Sequence, residues 1–164
     1  MSLDHDIRLL SRVRLFEGFQ PEHLRLIAFG AEHRTLAQGT RLYRQDTYSD
    51  GGYVIISGMM QLTSGPNDTV ISVHSTGALI GELALITETN HAATATAAQD
   101  SEVLKIPRPL FRRMLEEYPS LAESLRDRIS TSISEFIAKL ETVRIKLDQA
   151  NERAAQESKS EAET

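Results

Sequence analysis

Apolar positions recur at helical spacing near the N-terminus, alternate in short runs through the middle of the chain, and return to helical spacing over its last third. Ile7, Leu10 and Val13 step by three, which predicts a helix over residues 6–13 with Asp4 or Asp6 available to cap it. The stretch Leu15-Phe16-Glu17-Gly18-Phe19 breaks that helix, and Pro21 opens a second at its first position, with Leu24, Ile27 and Ala28 as the buried stripe. From Arg34 the period changes to two. Runs 35–38 and 41–44 read as strands parted by Gly39, and Ser49-Asp50-Gly51-Gly52 reads as a turn. Tyr53-Val54-Ile55-Ile56 is apolar on both faces, so it predicts a strand covered on both sides. Further strands follow at 59–63 and 69–74 around the hairpin turn Gly65-Pro66-Asn67-Asp68, and again at 93–97 and 102–106. About eight short strands is the count for a jelly-roll barrel.

Beyond the strands, Leu110, Phe111, Met114 and Leu115 predict a short helix ending near Tyr118. Residues 120–156 contain no Gly or Pro and predict one helix roughly 55 Å long at about 1.5 Å per residue. Its apolar seam, Ile129, Ile133, Phe136, Leu140, Val143, Leu147, Ala150 and Ala154, alternates steps of four and three. Such a seam needs a partner, so a homodimer is expected. The predicted architecture is α+β: an eight-stranded β jelly-roll barrel flanked by short helices over residues 1–118, a long C-terminal coiled-coil helix over 119–156, and a polar, disordered tail over 157–164.

Composition narrows the function classes. At 164 residues, 40% hydrophobic and 25% charged, the chain is an ordinary globular protein with room for a sizeable core. No apolar run approaches the ~18 residues of a membrane span, and no signal sequence opens the chain, so no membrane partner and a cytoplasmic location are expected. The absence of cysteine excludes disulfides, thiolate-held zinc and iron–sulfur clusters. A net charge of −5 argues against nonspecific nucleic-acid binding, and the residues after Ala154 are too few for a DNA-binding domain. No metal spacing joins His5, His23, His33 and His74, which read as structural or solvent-facing, and Arg108, Arg112 and Arg113 read as a solvated helix face flanked by Glu116 and Glu117. No catalytic constellation is present, so neither enzyme activity nor a metal or cofactor is expected.

The chemistry concentrates between Gly77 and Thr96. Gly81, the block Glu82-Leu83-Ala84-Leu85, and the Ala/Thr run from Ala92 read as strand end, tight turn, short helix and new strand. A helix start fed by Gly81 leaves amide N–H groups free to hold an anion such as a phosphate. Gly-Glu-Leu-Ala-Leu, five residues, a basic position, then Ala-Ala-Thr closely resembles the phosphate-binding cassette of cyclic-nucleotide-binding domains in the catabolite activator protein superfamily. Upstream, Tyr43-Arg44-Gln45, Asp50-Gly51, Tyr53-Val54 and Ser57-Gly58 fit the same pattern without gaps. Asp46 takes a turn position the family usually gives to Gly, and Asp tolerates a left-handed backbone better than most residues.

The resemblance implies that Glu82 accepts the ribose 2′-hydroxyl and that position 91, Arg in the family and His91 here, faces the cyclic phosphate. The implied ligand-binding set is Gly81, Glu82, Leu83, Ala84, His91, Ala92 and Ala93, with cyclic AMP, cyclic GMP or a related phosphate-containing small molecule as ligand. The implied role is a non-catalytic sensor or regulatory module whose long helix signals to a protein effector that the sequence does not name. The alternative is a ligand-free dimerisation or scaffold module with a degenerate nucleotide site.

Overall fold

The hydroxyl of Ser2 accepts the N–H of His5 and starts helix α1 (Leu3–Ser11), which the computed structural model, describing residues 2–162, places earlier than the expected span. Neither Asp4 nor Asp6 caps it; Asp6 is buried instead. A 3-10 turn (Arg14–Phe16) follows, then α2 (Pro21–Gly30), which buries Leu24, Ile27 and Ala28 as the periodicity requires. At the start of α2 the ring Nδ1 of His23 accepts the N–H of Gln20 at 3.0 Å, taking the place of a carboxylate in a capping box.

Ten strands follow among the described residues: β1 (Glu32–Leu36), β2 (Arg41–Tyr43), β3 (Tyr48–Ser49), β4 (Gly51–Ser57), β5 (Met59–Ser64), β6 (Thr69–Ser75), β7 (Leu79–Ile80), β8 (Thr89–Asn90), β9 (Thr94–Ala97) and β10 (Ser101–Pro107). They form two four-stranded antiparallel sheets, ordered β1-β10-β4-β7 and β2-β9-β5-β6, and a two-stranded ribbon β3-β8. The expected eight-stranded jelly-roll barrel is corrected in its strand count and in its closure. The jelly-roll strands remain as two sheets, and no barrel closes. The extra ribbon, Tyr48 with Asn90 and Ser49 with Thr89, is two polar residues per strand, too short to register as alternation.

Tyr53, Val54, Ile55 and Ile56 of β4 are all buried, as a strand covered on both sides demands. Gly51 and Gly52 belong to this strand rather than to a turn. The reason is close approach: a Cβ on Gly51 would run into the carbonyl oxygen of Ile106 on the paired β10. Between the sheets, Tyr53, Ile55, Met60, Ile80, Ala95 and Val103 form one core, with small Ala95 and Ala97 letting β9 lie close. Each large side chain in such a core contributes about 1.5–3 kcal/mol of burial. Asp46 does adopt the left-handed backbone expected of it, with φ 64°.

α3 (Arg108–Glu117) buries Phe111 and Met114. α4 runs from Pro119 to Ala162, continuing past Gln156 where the sequence reading ends it. The chain divides into two compact units, one ending at Ala122 and the other starting at Glu123. Within the second unit Leu140, Val143 and Leu147 are exposed along one helix, and the seam residues Ile133 and Phe136 lie outside the described side chains. No helix among the described residues is long and apolar enough to cross a membrane.

Candidate functional site

β7 ends at Ile80 and the chain turns at Gly81, whose φ of 74° is left-handed and therefore favours a residue without Cβ. The turn feeds a single 3-10 turn, Glu82–Leu85, which buries Ala84 and Leu85 and leaves Leu83 exposed at the rim. The chain returns through β8 to His91, whose backbone is clamped on both sides. Its N–H donates to Thr47 O at 2.8 Å and its carbonyl accepts from Asp46 N at 2.8 Å. The left-handed turn at Asp46 therefore holds position 91 in place.

These segments enclose a cavity of about 210 Å³. Its lining includes all seven residues expected from the sequence, Gly81, Glu82, Leu83, Ala84, His91, Ala92 and Ala93, joined by Tyr43, Ser49, Leu62, Thr89 and Asn90. The amides of Glu82, Leu83, Ala92 and Ala93 meet no protein acceptor among the described residues. Those of Glu82 and Leu83 are the unpaired first donors that any helical start leaves behind.

Burial of His91 lowers its pKa, with the Asp50 charge opposing and Lys105 adding to the fall. Its imidazole lies flat on the Tyr43 ring, centroids 3.6 Å apart and planes 6° from parallel. No side chain among the described residues hydrogen-bonds to it. The Tyr43 phenol is pushed up to about 12, chiefly by burial, so it stays neutral. Burial also raises Glu82, while the Arg14 charge pulls it back. No Lys or Arg lines the cavity. The unpaired amides of the lining residues are uncharged N–H donors. Tyr43 was not among the expected site residues; its aromatic character was visible in the sequence, but its stacking partner lies 48 positions away.

Behind the cavity, Asp50 and Lys105 pair at 3.1 Å. Burial alone would raise Asp50, but the Lys105 hydrogen bond and charge hold its pKa below the usual carboxylate range. Arg108 corrects the sequence reading: of the three arginines it alone is buried, while Arg112 and Arg113 are exposed with Glu116 and Glu117. Its Nη1 donates to the carbonyls of Ser49 (2.9 Å), Ala84 (3.1 Å) and Thr87 (3.0 Å), and its Nη2 donates to the Tyr48 hydroxyl. Of the histidines remote from the cavity, His33 sits between two carboxylates, Nε2 at 2.8 Å from Asp6 and Nδ1 at 3.0 Å from Glu102. No group of His, Cys, Asp and Glu among the described residues is arranged to hold a metal ion.

The family model for the cyclic nucleotide-binding domain matches residues 33–118, more than half of the chain and the whole of this site. The chain belongs to the cyclic nucleotide-binding domain family. It is 30% identical over 142 residues to lysophospholipase nte1 of Aspergillus niger, covering 80% of this chain and 9% of that protein. It thus spans under a tenth of the length of that curated relative. Among solved structures it is 43% identical to a cyclic nucleotide-binding-like protein from Brucella abortus, with a TM-score of 0.62 over 68% of this chain and 97% of that one. The regulatory domain of Toxoplasma gondii PKA, crystallised with cAMP, shares the fold at 24% identity and a TM-score of 0.67, covering 81% of this chain and 50% of that one.

Proposed function

We propose that the chain is a non-catalytic regulatory module that binds a cyclic nucleotide in the cavity between Gly81 and Ala93. The observation that carries this is that four residues lining one cavity, Glu82, Leu83, Ala92 and Ala93, have unengaged amides, with the Glu82 side chain beside them. Amides accept an anion's oxygens, and a carboxylate accepts a sugar hydroxyl. With no Lys or Arg in the lining, the site suits a cyclic phosphodiester, which carries one negative charge, better than a linear nucleotide monophosphate, which carries nearly two. A cavity of about 210 Å³ is below the ~300–1,000 Å³ of pockets that enclose a whole drug-sized ligand. It fits a ribose and its cyclic phosphate, with the base reaching past Leu83 toward solvent. The cAMP carried by the Toxoplasma gondii domain makes cyclic AMP the first ligand to try.

Occupancy is read out through the C-terminal helix, which pairs with a second copy through Leu140, Val143 and Leu147 and presents its geometry to a protein effector. The match to a small part of a lysophospholipase fits a regulatory segment of the kind an enzyme carries alongside its catalytic part. One observation favours a second reading, that of a ligand-free dimerisation or scaffold module: position 91, Arg in the family pattern, is a buried His whose pKa burial lowers. Calorimetry with cyclic AMP, cyclic GMP and linear AMP separates the two. The sensor reading expects a cyclic nucleotide to bind and Glu82→Ala to weaken it by about 1–3 kcal/mol. No heat with any of the three at millimolar ligand leaves the scaffold reading.

A further inference from the structure

Arg108 holds a buried guanidinium that meets no carboxylate among the described residues. A charge removed from water without a counter-ion persists only where hydrogen bonds replace its hydration. Here three carbonyls share the two hydrogens of Nη1, the Tyr48 hydroxyl takes Nη2, and the guanidinium carbon lies 5.4 Å from the centre of the Tyr48 ring. Of those carbonyls, Ala84 O lies in the 3-10 turn Glu82–Leu85 and Thr87 O just beyond its C-cap, Ile86. Carbonyls at such an end are otherwise orphaned, and a cation is favoured there.

Within Gly81–Glu88 the remaining hydrogen bonds are internal: Ala84 N to Gly81 O, and both Ile86 N and Thr87 N to Leu83 O. Among the described residues, only Arg108 ties this segment by hydrogen bonds to the rest of the domain. Its own backbone N–H donates to Asp50 O at 2.8 Å, which anchors it where β10 passes into α3.

We propose that Arg108 is the positioning residue of the cavity: its guanidinium clamps the 82–87 segment to the start of α3 and so fixes where the Glu82 and Leu83 amides stand in the cavity wall. A lysine cannot replace it, because its ammonium ends one bond short of Nη1 and it has no second nitrogen to meet the Tyr48 phenol.

The test compares wild type with Arg108→Lys, Arg108→Met and Tyr48→Phe, the last removing one acceptor while sparing the guanidinium. Amide hydrogen exchange is followed over 81–88 and over β4 and β10, alongside cyclic AMP affinity by calorimetry. The expected result is exchange over 81–88 faster by at least about tenfold in both Arg108 variants, the factor one charge-assisted hydrogen bond carries, with β4 and β10 unchanged and a smaller local rise in Tyr48→Phe. Should the Arg108 variants not fold, the local rise in Tyr48→Phe decides. Wild-type exchange over 81–88 in folded Arg108→Lys overturns the proposal, and so does faster exchange spread evenly over the whole domain. The affinity arm rests on the cyclic-nucleotide reading and expects weaker binding in step with the exchange. If wild type binds no nucleotide, that reading fails while the exchange result still judges Arg108.

Discussion

Lowering the pH should tighten cyclic-nucleotide binding to the wild type and leave the His91→Arg variant unmoved. In the free protein, burial holds the His91 pKa below its ordinary value, so the ring is neutral at pH 7 and offers one donor. A bound cyclic phosphate brings a negative charge to the ring and favours imidazolium, so binding takes up a proton wherever the bound ring is protonated and the free ring is not. Two unit charges about 4 Å apart at an effective dielectric near 20 attract by about 4 kcal/mol, which bounds the effect from above. The cavity opens to solvent, so the realised gain is that of one charge-assisted hydrogen bond, about 1.5–3 kcal/mol. That corresponds to ten- to a hundredfold in affinity, gathered as the pH falls from about 8 toward and below the ~6.5 reference value. Glu82 is a second titrating group, raised by burial, and its protonation enters at the acid end. Glu82→Gln should therefore bind more weakly yet keep the slope. His91→Arg carries its charge at every pH, stacks on Tyr43 as well as imidazole does, and should bind tightly with a flat profile. Calorimetry at pH 8, 7 and 6 on the three proteins measures all of this. A wild type that binds without a slope, or a slope shared by His91→Arg, refutes the assignment of the phosphate to His91.

Three further outcomes are expected. Replacing Leu140 and Val143, both about half exposed on α4, together by Asp should convert a dimer to a monomer in light scattering, and a wild type already monomeric at micromolar concentration contradicts the seam. The two carboxylates at His33 raise its pKa against the desolvation that lowers it; the stability they add is complete below ~6.5 and is lost as pH rises through the folded value. Urea melts should show wild type gaining on His33→Gln at pH 5.5 and not at pH 8.5. Gly81→Ala should cost about 1–2 kcal/mol of stability for the left-handed backbone alone, because the nearest atom to the new Cβ is 3.4 Å away; a thermal melt unchanged by the substitution speaks against the turn.

The site was legible because its chemistry is local. Gly81, the short turn after it and the Ala-Ala-Thr run lie within 16 residues of one another, and each owes its conformation to its own side chain or lack of one. Asp46 was legible for the same reason. Strand count was less so, since β3, β7 and β8 are two residues each and carry no period. The residues misjudged were those whose partners are distant in sequence and chemically anonymous. Asp6 looked like a cap beside a helix start, but its carboxylate meets His33, 27 positions on. Arg108 looked solvated because Arg112, Arg113, Glu116 and Glu117 on the same helix are charged and exposed. Nothing in that company separates it from them. What separates it is three backbone carbonyls, which any residue could have supplied, converging where β3, the turn after Gly81 and α3 meet. A buried cation held by carbonyls leaves no complementary acid in the sequence to betray it, so such a residue becomes visible only when the fold brings the carbonyls together.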